Sequence, residues 1–480
     1  MSNIPNISNA DDALRSGEIE IVQVALYPRS GDDYIDIQHH VAEINLFGSI
    51  YSTFYSATLS IVDNIGLLHS LPIVGEETIV ITVKSSSWQS EKALSKVFKV
   101  YAVKDFVVDG EYNNFYNLEL ISIMGHVNNL IHLNKKFSGN CTHTVIDIVE
   151  DYMQEPCEEI VERFDHSEDK AALSIIQNSF EEFLWLKRHH HAISHNRVQF
   201  VANNWTPAYT INWIAERALL GYISNSTYRP DFIFNEGLSR IVFHSLSGMF
   251  RRGRRDSSPA GVGLGKFRYE YLPTAESRNP AIKSKTIIDV SFKRFADGLR
   301  SQIVGGLASS LESYDVVTKR YHKQNYDWVT MSKDYAQLER YQDVNGTHHS
   351  SLSQQNKGLF HPKIPRSFDT KKYSVVKHNQ LHNGLPSYLP EQTMQIRRFM
   401  FASLEHINLE ITIYGNFDIE AGGVVHLTFP INKMNPEGRE ARYITGYYLV
   451  LGVRHKITQT EHFTYLEVAK ESTQMREFEE

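Results

Sequence analysis

Cysteine is nearly missing. Only Cys141 and Cys157 occur in 480 residues, too few for the disulfide framework of a secreted mini-domain or for a four-cysteine zinc site. Two unpaired thiols suit a reducing compartment, and their plainest role is that of small hydrophobes. Long apolar runs are missing as well: no stretch nears the roughly 18 to 20 residues that span a bilayer. The opening MSNIPNISNADDALRSG lacks the basic and apolar stretches of a secretory signal, so synthesis and folding in a cytosol are expected. There is no positive excess either. The 49 basic and 56 acidic residues leave a net charge of −7, which argues against a surface given over to nucleic acid. Hydrolase signatures are absent, with neither a G-x-S-x-G elbow nor an H-E-x-x-H helix in the chain. Gly261, Gly263 and Gly265 imitate part of a phosphate loop, but no Lys-Ser/Thr pair or leading apolar strand accompanies them. No catalytic residue, metal site or cofactor is therefore assigned.

Aromatics are what the chain has in plenty: 25 Tyr and 25 Phe against 5 Trp. Such residues suit half-buried pleated surfaces, so a β-rich chain of about three domains is expected. From Glu18 to Ser122 the pattern is strand after strand, among them Phe54–Asp63, Thr78–Val83, Val97–Val103 and Tyr116–Ser122. Turn residues at Ser30–Asp33, Asp63–Gly66 and Asp109-Gly110 punctuate them, the pattern of a small antiparallel barrel or sandwich. Helical spacing follows over Thr142–Met153 and Ala171–Lys187. A third helix opens at Trp205-Thr206-Pro207, where Thr206 is placed to cap and Pro207 loses no needed N–H. Phe250–Lys266 reads as a loop, Thr286–Phe295 and Ser310–Tyr326 as strands, and strands resume at Gln395. Between them, Met331–Tyr388 is polar and long for a loop, so it is expected to be an extended arm.

The two strand blocks resemble each other. SATLSIVD, TIVITV, FKVYAVK and YNLEL in the first are answered by LEITIY, VVHLTF, YYLVLGVRHK and TYLEV in the last. Gly75 in one, and Gly422 with Gly423 in the other, supply the positive φ of a tight turn before the second strand. Two copies of one barrel per chain carry a geometric implication: three chains present six similar barrels in a ring and so meet a sixfold partner.

On Phe54–Val83, Trp205–Leu219, Gly305–Tyr321 and Phe417–Ser472 the chain resembles the baseplate hub proteins of contractile-tailed bacteriophages, a family related to the hub part of type VI secretion spikes. The likeness lies in the order of four segments and not in one short signature. It implies an α+β, mainly β fold: two tube-protein-like antiparallel β-barrels with an inserted mixed α/β domain. The boundaries it implies are an arm at 1–17, a first barrel at 18–125 and the insertion at 126–285. A discontinuous second barrel follows at 286–330 plus 395–472, with the polar arm at 331–394 and an acidic tail at 473–480. It also implies a homotrimeric, pseudo-sixfold ring in the virion baseplate, made in the host cytoplasm. The ring joins the hexameric tail tube protein to the trimeric central spike protein, with the tape-measure protein as a further partner and no membrane. The long segment Met331–Tyr388 and the arginines at 251–255 depart from the family's pattern.

Candidate contact residues follow from chemistry. Trp88, in the loop SSSWQSEKA between two strands, has the residue type of a binding hot spot. Tyr101, Tyr447 and Tyr448 lie on aromatic strands whose edges offer themselves to a neighbouring chain. Arg251, Arg252, Arg254 and Arg255 form a basic loop that meets a partner's carboxylates, or DNA transiently in the lumen; the plainer reading is a solvated loop. Arg188 with His189, His190, His191 and His195 is the most metal-like cluster, but adjacent histidines point apart, and a solvated helix end is the simpler role. Two alternatives stay open: a cell-wall-degrading hub whose acids lie in Glu158–Glu236, and a component of a bacterial contractile injection system.

Overall fold

The computed structural model describes residues 17–29, 33–70, 73–85, 93–109, 113–166, 170–185, 194, 196–220, 229–250, 267–271, 284–295, 308–327, 372–377, 381–382, 385–386, 390–404, 407–430 and 444–471. The first block contributes β1 (Ile19–Tyr27), β2 (Ile35–Asp36), β3 (Val41–Ser49), β4 (Ser56–Asp63), a helical turn α1 (Leu67–Ser70), β5 (Thr78–Ser85), β6 (Leu94–Asp109) and β7 (Asn113–Ser122). Their order in the sheet is β2-β1-β5-β6-β7-β4-β3. In β4 burial alternates residue by residue, the period-two signature of a wall with one face on the core. Val24, Leu59, Ile79, Phe98 and Leu120 meet in the interior. The wall is not closed by a β1–β3 ladder. That gap is crossed by the Gln38 amide donating to the Ile21 carbonyl at 2.5 Å and the Ile37 N–H donating to the Val24 carbonyl at 2.9 Å.

The insertion follows as α2 (Ile123–Leu130), β8 (Lys136–Asn140), α3 (Cys141–Val149), α4 (Glu155–Phe164), α5 (Ala171–Trp185), β9 (Arg197–Val201), α6 (Pro207–Ala215), β10 (Phe232–Glu236) and β11 (Ile241–Ser245). Asn140 caps α3, its side chain accepting from the Thr142 and His143 N–H groups, so the helix that the spacing starts at Thr142 begins one residue earlier, at Cys141. One helical stretch runs on from α3 through a π-helical turn at Glu150–Gln154 into α4. Pro156 has no N–H to return to the preceding turn, a physical reason for the wider winding just before it. Thr206 and Pro207 start α6 in the roles the residues suggest. Cys141 and Cys157 are buried in this core, where burial raises both thiol pKa values, Cys141 to about 12. The insertion packs on the outer face of the first barrel at Ala25, Tyr27, Val80 and Val97. That explains why β5 is buried without alternation from Thr78 to Val83: both of its faces are covered there.

The second barrel is built from β12 (Arg268–Tyr271), β13 (Thr286–Phe295), β19 (Ile407–Tyr414), β20 (Val424–Thr428), β21 (Gly446–Ile457) and β22 (His462–Lys470). It closes on itself: β21-β20-β12-β13-β19-β22 and back to β21. Its ladders are antiparallel except at β12, which runs parallel to both β13 and β20. Between β13 and β19 lie β14 (Ala308–Asp315), β15 (Arg320–Asp327), β16 (Lys372–Lys377), the short hairpin β17 (Leu381–His382) and β18 (Leu385–Pro386), and α7 (Pro390–Leu404). Three boundaries are corrected. Residues 308–327, expected in the second barrel, pair with 372–377 in a separate three-stranded sheet. Residues 395–404, expected as strand, are helix. Its Ile396, Phe399 and Met400 pack on Leu311 and Tyr326 of that small sheet. Arg268–Tyr271, placed in the insertion, is a barrel strand instead.

Candidate assembly interface

The two barrels share one wiring. In the first, β4 pairs with β7, β5 with β6, β6 with β7 and β3 with β4. In the second, β19 pairs with β22, β20 with β21, β21 with β22 and β13 with β19, all antiparallel in both copies. The β1–β5 ladder is matched by β12–β20, which differs only in strand direction. Two register shifts also coincide. One falls between Val100 and Ala102 in β6, and between Val450 and Gly452 in β21, opposite Leu120-Glu119 and Val468-Glu467 respectively. The other falls between Val41 and Glu43 in β3, and between Ile287 and Asp289 in β13. A bulge adds a residue to one strand only, so two bulges at matched places mark a copied register. Gly75 and Gly422 both have positive φ, +92° and +85°. Register makes Glu77 the counterpart of Gly423, because their carbonyls accept from Val100 and Val450 at 2.9 Å. The two glycines therefore stand one residue out of step.

The barrels join edge to edge within the chain. Beyond its bulge, β21 leaves β20 and takes β3 as neighbour, from Gly452↔Ser49 to Ile457↔Ile44. Charge follows the ladder across this seam. The Arg454 Nε–H donates to Asn45 Oδ1 at 2.8 Å, Arg454 meets Glu43 at 3.4 Å, and Lys456 meets Glu43 at 2.7 Å. These cations hold the Glu43 carboxyl below its usual pKa although burial pushes the other way. Under the seam the His455 Nδ1 lies 3.1 Å from His462 Nε2 and 3.2 Å from Thr464 Oγ1, with Phe417 against both rings. The insertion pins both barrels through one hairpin turn. Lys96 of β6 pairs with Glu236 at 3.1 Å and donates to the Gly237 carbonyl, while Arg240 and Ser239 bind Glu420 beside the second barrel.

At the outer ends of this two-barrel row the surface is apolar. The β6–β7 hairpin extends past the barrel with Phe106, Val107 and Val108 exposed by 49, 56 and 62%. Successive strand residues face opposite ways, so both faces of the ribbon are apolar and uncovered. At the other end, Ile288 and Phe292 of β13 are exposed by 42 and 49%. In the copied register Phe292 corresponds to Leu46, which is buried in the middle of the row and exposed by only 3%.

The candidate contacts separate. Tyr101 is exposed, at the β6 bulge, its hydroxyl donating to Glu119 at 3.1 Å. Tyr447 and Tyr448 are buried, which corrects their expected part in a contact between chains. Tyr448 fills the second barrel, and Tyr447 is covered by the cluster of Ile233, Leu246, Met249 and Leu404. The unbroken run GYYLVL carried the signal, since a strand apolar on both faces is covered on both. Trp88, Arg251, Arg252, Arg254 and Arg255 lie outside the described residues, as do Arg188, His189, His190, His191, His195 and the glycines 261, 263 and 265. Among the described residues no group of three or more His, Cys, Asp or Glu could hold a metal ion, and no helix is long and apolar enough to cross a membrane. Of the free ends of the repeat, β6 holds Tyr101, on a strand edge already singled out from the sequence, whereas β13 was not singled out; the copied strand pattern was the signal that leads to it.

No family model matches the chain, and no curated protein does. Among solved structures it is similar to the tail protein from Neisseria meningitidis MC58, at 10% identity and a TM-score of 0.44 over 93% of this chain and 97% of the other. It is also similar to the 43 kDa tail protein of prophage MuSo2 from Shewanella oneidensis, at 9% identity and a TM-score of 0.45 over 94% and 98%. A third is a component of the type VI secretion system of E. coli, at 8% identity and a TM-score of 0.38 over 96% and 77%.

Proposed function

We propose that the chain is a structural hub of a phage tail baseplate, without enzymatic activity, working as a homotrimeric ring of six barrels between a hexameric tail tube and a trimeric central spike. The observation that carries this reading is the copied register: two barrels of one wiring, joined head to tail by β3 and β21. A head-to-tail contact between unlike surfaces closes into a ring or runs on as a filament; it does not satisfy itself in a twofold dimer. Two barrels per chain give sixfold pseudo-symmetry to a ring with true threefold symmetry, so one face suits each partner. The mechanism is mechanical. The barrels continue the tube, carry force on contraction and hold the spike. Tube, spike and tape-measure proteins are the partners of this reading, and the arginines at 251–255 are its candidate contact to DNA in the lumen or to a partner chain.

A rigid ring of this kind buries interfaces on the order of 2,000 Å² per pair. Light scattering on the purified chain, alone and with the spike, is expected to give the trimer mass. A stable dimer overturns the reading. The acids offered to a cell-wall-degrading alternative have structural partners: Glu236 binds Lys96 and Ser122, and Asp231 holds the Ser247 N–H and hydroxyl at 2.8 and 2.7 Å. Turnover of purified peptidoglycan above a heat-killed control would reinstate it. A bacterial contractile injection system asks the same physics of the chain, and genomic neighbours separate the two.

A further inference from the structure

Resting on the ring reading, we infer that the contact between chains is a second copy of the β3–β21 seam: β13 of one chain adds to β6 of the next, with Lys104 of the neighbour set to reach along the ladder toward Asp289 as Arg454 reaches Glu43. The copied register makes the correspondence residue by residue. Ladder partners equate Glu43, Ile44, Asn45 and Leu46 with Asp289, Val290, Ser291 and Phe292. They likewise equate Gly452, Val453 and Arg454 with Ala102, Val103 and Lys104. Inside the chain Ile44, Asn45 and Leu46 lie opposite Ile457, Lys456 and His455, and Phe47, Gly48 and Ser49 opposite Arg454, Val453 and Gly452, with the Arg454 side chain reaching along the ladder to Glu43. Carried one barrel further round, the same operation sets β13 against β6 of a second copy.

Three observations support the repeat of the seam. Burial is the first. Leu46 and Ile457 at the inner seam are buried, exposed by 3 and 0%, whereas their counterparts Phe292 and Val108 at the outer ends are exposed by 49 and 62%. Strand neighbours are the second. Among the described strands, β13 has β19 along its length and β12 only at Thr286 and Ile287, and β6 from Ala102 onward has only β7. Those are the stretches that the inner copies use to reach each other. Charge is the third. Arg454 and Glu43 sit 3.4 Å apart across the inner seam, and their counterparts Lys104 and Asp289 have the same signs. Asp289 has no described cation within ion-pair distance, and Lys104 reaches Glu119 only at 4.0 Å. The copies differ where Lys456 gives way to Val107, which replaces a second ion pair with apolar contact against the ribbon end of β6.

The occupant is a second copy of this chain because the two surfaces are unlike, lie at opposite ends of one repeat, and complement each other as their inner copies do. The test uses the full chain, half of it labelled with heavy nitrogen, treated with a water-soluble carbodiimide that joins a lysine amine directly to a carboxylate. The expected product is a mixed-label peptide pair linking Lys104 to Asp289, in a particle of trimer mass. Charge reversal supplies the second arm. Lys104→Glu alone and Asp289→Lys alone are expected to weaken assembly by about tenfold, since like charges then oppose, and the double reversal to restore it. Both residues are exposed, so the variants are expected to keep their fold. A trimer whose assembly ignores both substitutions, and whose mixed-label links lie elsewhere, overturns this seam and leaves the ring standing. A chain that forms only monomers or dimers, with and without the spike, overturns the ring and the seam together.

Discussion

At the residue scale the seam between the barrels rests on a buried imidazole pair that carries no charge. His455 is fully buried, and desolvation lowers its pKa to about 3; His462 beside it is held well below the usual range for the same reason, with His455 adding to the shift. Gly415 makes room for the second ring, since a Cβ there would come within 2.1 Å of the His462 ring. His426, on β20, is also lowered by burial, to about 4. In each case the unfolded chain takes up its proton first, near pH 6.5, while the folded chain refuses it. Stability from these groups is therefore complete above about pH 6.5 and lost as pH falls from there toward the folded values. For His455 the loss at pH 5 is on the order of 2 kcal/mol. Glu43, with its pKa lowered, belongs to a more acid window, below the usual glutamate range. Urea unfolding at pH 7.5, 6.0 and 5.0 is expected to show the falling midpoint, and His455→Gln to make the fall shallower. A midpoint that stays level down to pH 5 contradicts the neutral pair.

At the element scale the telling piece is the β6–β7 ribbon. A two-stranded ribbon is marginal in water on its own, and this one has apolar residues on both faces beyond the barrel. Phe106 stacks on Tyr116 and Asn117 ties down Asp105, whose φ is positive, so the ribbon is braced at its base and bare toward its end. On the proposed ring its apolar residues serve a neighbour more than the fold. Phe106→Asp with Val108→Lys is expected to change the thermal midpoint of the isolated chain by no more than about 2 °C and to raise the trimer dissociation constant about a hundredfold, because hot-spot apolar contacts dominate such surfaces. Sedimentation measures one effect and calorimetry the other; a large fall in midpoint with assembly intact assigns the ribbon to the core. Elements whose cause is local were legible in the residues. Thr206-Pro207 starts α6, and the alternation in SATLSIVD makes β4. Elements whose cause is a distant partner were not. RYEY at Arg268–Tyr271 has no pattern that says it will close a barrel between two strands far apart in the chain. Gln395 onward has β-formers enough for a strand, but Pro390 at a helix start and the spacing of Ile396, Phe399 and Met400 against Leu311 decide for α7.

At the scale of the whole molecule the repeat turns a list of strands into a prediction about shape. The barrels are duplicated; among the described residues the insertion and the small sheet that carries α7 occur once. A trimer closed by copies of the inner seam has six near-equal barrels around its axis, because neighbouring barrels meet through the same ladder whether the contact is inside a chain or between chains. The single-copy parts break that equality on a threefold pattern. The insertion covers the outer face of the first barrel through Ala25, Tyr27, Val80 and Val97. The row therefore alternates between a barrel with an added layer and a barrel without it. Averaged electron micrographs viewed down the axis are expected to show six inner lobes of similar size with three outer ones, one beside every second lobe. Grouping of the inner lobes into three separated pairs would mean that the contact between chains is not a copy of the contact within them. Sixfold symmetry out to the rim would mean that the insertion does not ride on the first barrel. The alternation is what a joint between a hexameric tube and a trimeric spike requires: equal positions where the barrels are met, and unequal ones where the insertion stands.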